Sequence, residues 1–83
     1  MPASHSQSYR LTGRLLPALF VPWIQAHASR LGLVVAVTDQ GPATLTLTLT
    51  GQEPLIEAMV LACSLGPYAV WVETIEALFA NEE

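Results

Sequence analysis

Hydrophobic and polar positions change period several times along this chain, and the changes mark its elements. Tyr9 to Leu15 alternates, with Tyr9, Leu11 and Gly13 on one side and Arg10, Thr12 and Arg14 on the other. That is the period of a half-buried strand. Leu16 to Val21 carries a proline and no clear period, so it reads as a loop. Phe20, Ile24, Ala28 and Leu31 then recur at helical spacing, with Pro22 suited to a first turn and Gly32 to a stop. This predicts a helix over about residues 21–31. Leu33 to Thr38 is a β-branched run, and the turn chemistry of Asp39-Gln40-Gly41-Pro42 closes it.

Thr44 to Thr50 is the plainest signal. Leu45, Leu47 and Leu49 face one way, and Thr44, Thr46, Thr48 and Thr50 face the other. One face packs on a core and the other meets water or a partner. Pro54 opens a second helical pattern: Leu55, Met59 and Ala62 recur, with Ile56, Val60 and Cys63 beside them. Gly66-Pro67 ends it. Tyr68 to Ile75 is a fourth strand. Residues 1–8 read as a disordered tail, 9–83 as one domain, and 76–83 as a fraying end. The order β-α-β-β-α-β predicts an α+β, ferredoxin-like sandwich: a four-stranded antiparallel sheet with two helices on one face.

Charge narrows the function. The 83 residues carry a net charge of −4, and the cations are Arg10, Arg14 and Arg30, with no lysine. Nucleic acids and anionic membranes are therefore not expected partners. No apolar run reaches the ~18 residues of a membrane span, and the N-terminal segment lacks a signal-peptide core. A cytoplasmic protein is expected. Cys63 is the single cysteine, and His5 and His27 lie far apart, so no metal site and no cofactor are expected. Cys63 and His27 read as packed residues rather than a nucleophile and a base, and Trp23 and Trp71 as core or rim. A composition 52% hydrophobic and only 12% charged points to a sticky surface. The threonine row Thr44, Thr46, Thr48 and Thr50 reads as a plain solvated sheet face or, alternatively, as an association face for a protein partner or a second copy, as a homodimer.

From about Tyr9 to Glu76 the chain resembles the acylphosphatases. That family opens with G-x-V-Q-G-V-x-F-R and a helix ending A-x-x-L-G-L. The counterparts here are Gly13-Arg14-Leu15-Leu16-Pro17-Ala18-Leu19-Phe20-Val21 and Ala28-Ser29-Arg30-Leu31-Gly32-Leu33. Gly66-Pro67-Tyr68-Ala69-Val70-Trp71-Val72-Glu73 is similar to a later family segment. The resemblance implies hydrolysis of the carboxyl-phosphate bond by in-line water attack. A loop of backbone N–H groups would hold the phosphate, an arginine would neutralise it, and an asparagine after the second strand would orient the water.

The implied site is dismantled. Leu15, Leu16, Pro17, Ala18, Leu19 and Phe20 occupy the loop, and Pro17 has no N–H to donate. Val21 stands at the arginine position. The asparagine falls at Asp39 or Val37: the first adds negative charge, and the second offers no hydrogen bond. Arg14 is the candidate substitute cation. The expectation is a family scaffold that has lost catalysis and works by association or binding. The alternative is a divergent acylphosphatase.

Overall fold

The computed structural model describes residues 5–78. Six elements follow in the order β1 (His5–Arg14), α1 (Pro17–Arg30), β2 (Val34–Gln40), β3 (Thr44–Gly51), α2 (Glu53–Leu65) and β4 (Trp71–Leu78). The four strands form one antiparallel sheet in the order β2-β3-β1-β4. This is the ferredoxin-like sandwich expected from the pattern.

The core is built from two periodicities that meet. Leu45, Leu47 and Leu49 alternate on β3 and are each 1% exposed or less, as is Leu11 on β1. Phe20, Ile24 and Ala28 on α1 and Ile56, Met59 and Cys63 on α2 close over them. The helices thus cover one face, and the threonine row lies on the other.

Element ends follow local chemistry. Gly32 sits at φ 77° just past α1. The Leu33 N–H donates to the Ala28 carbonyl at 2.8 Å, and the Gly32 N–H to the Ser29 carbonyl at 3.1 Å. These two bonds cap the helix with the left-handed residue that glycine adopts most readily. Gly13 (φ 145°) holds a second special position. Pairing slips between Thr12 and Gly13, leaving Glu73 as an extra residue on β4. A Cβ on Gly13 would collide with the Trp71 carbonyl and lie 2.8 Å from the Glu73 nitrogen.

Three sequence expectations need correction. First, β1 begins at His5, so residues 5–8 are strand rather than tail; the rest of the expected tail, 1–4, lies outside the described residues. Ser6 and Ser8 earn their place by bonding to Thr50 (3.0 Å) and Thr48 (2.7 Å) across β3. Second, α1 starts at Pro17, where a loop was expected, and Pro22 is interior. Pro17 takes the first helical position, and the Leu19 and Phe20 N–H groups both donate to the Leu16 carbonyl at 2.9 Å. Third, β4 starts at Trp71 and continues to Leu78, because a turn with the Val70 N–H on the Pro67 carbonyl (3.0 Å) precedes it. Residues 79–83 lie outside the described residues.

Gly13→Ala should cost at least about 2 kcal/mol, since both its backbone angle and its contact with β4 backbone forbid a side chain. Phe20→Ala should cost about 3–5 kcal/mol by leaving a cavity between α1 and the sheet. Urea unfolding of each variant beside the parent protein measures both.

Candidate active site

The loop that resembles a phosphate cradle becomes the first turn of α1. Leu16 precedes it at φ 46°, ψ 69°, the one non-glycine residue with positive φ among those described. A leucine there costs roughly 1–2 kcal/mol, so the turn is held by its surroundings. They include the β2–β3 hairpin: the Gly13 N–H donates to the Ala43 carbonyl (3.1 Å) and the Leu15 N–H to the Pro42 carbonyl (3.2 Å).

Few donors remain for an anion. Leu15, Leu19 and Phe20 spend their N–H groups on carbonyls, and Pro17 has none. Only the N–H groups of Leu16 and Ala18 lack a backbone acceptor among the described residues of this turn. The first turn of α1 carries no acidic residue, so the positive helix end is uncompensated. Leu15 and Phe20 are fully buried, while Leu16 and Leu19 are 42% and 47% exposed.

The other site positions are dispersed. Val21 is half-buried and packs against the core, with no charge to offer. Val37 lies opposite Leu47 and also packs on the core. Asp39 lies opposite Thr46, hence on the uncovered face. A slip in pairing between Val37 and Asp39 then puts Gln40 opposite Leu45, on the face that the helices cover. Gln40 is thus an exposed amide whose register lies on the helix side of the sheet, a placement that sequence reasoning missed. The sequence marks Asp39-Gln40-Gly41-Pro42 as a turn, but Asp39 and Gln40 belong to β2, and a bulge leaves no mark in a two-residue period. Arg14 lies opposite Trp71 on the uncovered face, away from the buried side chain of Leu15.

The remaining candidates lie elsewhere in the fold. Cys63 is buried, and burial pushes its thiol from 9.0 up to about 12. His27 stacks on Trp23 with ring centroids 4.9 Å apart, and Trp23 meets Phe20 at 5.7 Å. No group of three metal-ligating side chains occurs among the described residues. No helix among them is long and apolar enough to cross a membrane. The threonine row is half-buried, and Thr48 and Thr50 bond to serines of β1. A groove of about 410 Å³ runs between α2 and β4, lined by Val60, Leu61, Val72 and Ile75 among others.

A ferredoxin-like sandwich with a tight turn entering its first helix defines a class, and comparison with known proteins narrows it. An acylphosphatase of Acidiphilium cryptum is 33% identical over 71 residues, covering 86% of this chain and 78% of that protein. An acylphosphatase of Rhodopseudomonas palustris is 27% identical over 73 residues, covering 88% and 74%. This chain belongs to the acylphosphatase family. Solved structures agree on the fold. The acylphosphatase of Coxiella burnetii superposes with a TM-score of 0.80 at 16% identity, covering 96% of this chain and 86% of that one. The acylphosphatase of Bacillus subtilis gives 0.80 at 18% identity, covering 92% and 83%. Full-length HypF, in a phosphate- and nucleotide-bound form, gives 0.81 at 19% identity; the match covers 94% of this chain and 10% of HypF. No family model matches the chain.

The Cys63 thiol sets an alkaline limit. Its raised value stabilises the fold below pH 9, where both states hold the proton, and this is lost as pH rises toward about 12. Tyr9 acts in the same direction: burial raises it first, then the charges of Glu57 and Glu53. Unfolding free energy should therefore fall above pH 9, with Cys63 contributing up to about 1.4 kcal/mol per pH unit. Urea titrations in this range should show a shallower decline for Cys63→Ala.

Proposed function

We propose that this chain is an acylphosphatase-family domain that does not hydrolyse acyl phosphates and serves as a binding domain. The observation that carries this is the pair Pro17 and Val21: the cradle lacks a donor, and the position of the charge clamp is apolar. Acyl-phosphate hydrolysis spreads negative charge over three phosphoryl oxygens, so its barrier falls only where donors and a cation await that charge. One lost donor of this kind typically costs about 10²–10³ in rate. Here a donor and a cation are both lacking, and Asp39 stands at one of the two candidate positions for the amide. The uncovered face bearing Thr44, Thr46, Thr48 and Thr50 is the surface this reading gives to a protein partner or a second copy.

One observation favours an active enzyme instead. The relatives above are named acylphosphatase, and Gln40 supplies an amide whose register lies on the helix side of the sheet. The two readings separate in one assay. With an aromatic acyl phosphate, the unmodified protein should match the buffer rate. Val21→Arg should raise the rate above it, and the further change Gln40→Ala should remove that gain. Turnover by the unmodified protein would overturn the binding-domain reading.

A further inference from the structure

The end of the sheet beside Gly13 holds a cleft away from the loop Leu15–Val21. Along the uncovered face, β1 and β4 set three pairs in register: Arg10 with Glu76, Thr12 with Thr74, and Arg14 with Trp71. The first two are closed. Arg10 meets Glu76 at 3.6 Å, and the two threonine hydroxyls hydrogen-bond. The third is open. Arg14 makes no salt bridge among the described residues, although Glu73 lines the same cleft. The cleft measures about 340 Å³, and its walls are Arg14, Trp71 and Glu73.

The bulge accounts for this geometry. Where pairing slips, Glu73 is the extra residue of β4, outside the paired row and lining the cleft. Gly13 locks the slip, because a Cβ there would strike β4 backbone. A cation and an anion are thus held around one space without neutralising each other. Trp71, 68% exposed, supplies an aromatic wall between them. An indole left in water at a cleft is a stacking surface. The volume is near the lower end for small-ligand sites and suits a single ring.

We propose that this cleft binds a small aromatic zwitterion: one ring stacked on Trp71, its carboxylate taken by Arg14 and its ammonium by Glu73. Arg14 presents a planar fork of donors that matches a carboxylate, and Glu73 accepts from an ammonium. An anion alone would meet the Glu73 charge, and a cation alone the Arg14 charge. The selectivity thus arises from the pair. The site uses no residue of the loop Leu15–Val21 and stands apart from the question of turnover.

The probe is 4-(aminomethyl)benzoate, read by the indole N–H signals of Trp71 and Trp23 in nitrogen-15 NMR, assigned through Trp71→Phe. The Trp71 signal should move saturably while the Trp23 signal stays. Benzoate and benzylamine should each bind about tenfold more weakly, the worth of one charge-assisted contact. Arg14→Gln should reduce the zwitterion to the affinity of benzylamine, and Glu73→Gln to that of benzoate. Both side chains are exposed, so neither change threatens the fold. No saturable movement at millimolar probe would overturn the proposal. So would equal movement of both indoles, or an affinity indifferent to either substitution.

Discussion

Everything in this molecule rests on three leucines of one strand. Leu45, Leu47 and Leu49 point to the same side because a strand alternates, and that side is where both helices lie. A slip of one residue in β3 would turn the threonines inward and the leucines into water. The register with β1 and β2 is therefore dictated by burial as much as by hydrogen bonds. With 83 residues and few charges, the chain has no disulfide within itself to fall back on. Its stability comes from this one layer contact and the caps that aim the helices at it.

The shape of the turn into α1 and the chemistry of the residues on it are set by different forces. The backbone still makes a tight left-handed turn at Leu16, although a leucine resists it. The hairpin still braces that turn through the Pro42 and Ala43 carbonyls. On this turn stand Pro17, which has no N–H, and the apolar Val21. Packing and backbone bonding hold the shape, and they are indifferent to whether residue 21 is charged.

Much of the fold was legible in the sequence, for reasons visible in single residues. The alternation Thr44 to Thr50 and the stop Leu31-Gly32 each obey one local rule, and nothing tertiary opposed them. Errors arose where two rules competed. Pro17 and Pro22 both suit a first helical turn, and only the brace on Gly13 and Leu15 decides for Pro17. Residues 5–8 look like a polar tail because their partners, Thr48 and Thr50, are far away in sequence. The residues of the loop were readable by comparison with the family pattern. The place of Gln40 was not, since a bulge reassigns faces without altering composition. Nor was the cleft at Arg14, which depends on the slip between Thr12 and Gly13.

The strand order carries a consequence for how the chain assembles. Among the described strands β1 is made before the others, yet it lies in the interior of the sheet, between β3 and β4. During synthesis it must wait for β3 some thirty residues on, and then keep one side unpaired until β4 arrives. Such distant pairings are slow to find, because loop entropy is spent before any contact rewards it. An early N-terminal fragment would present bare strand edges and a greasy helix together, a combination prone to clump. The protein's most vulnerable moment is thus its birth rather than its folded life, and its dependence on chaperones should be greatest before residues 71–78 leave the ribosome.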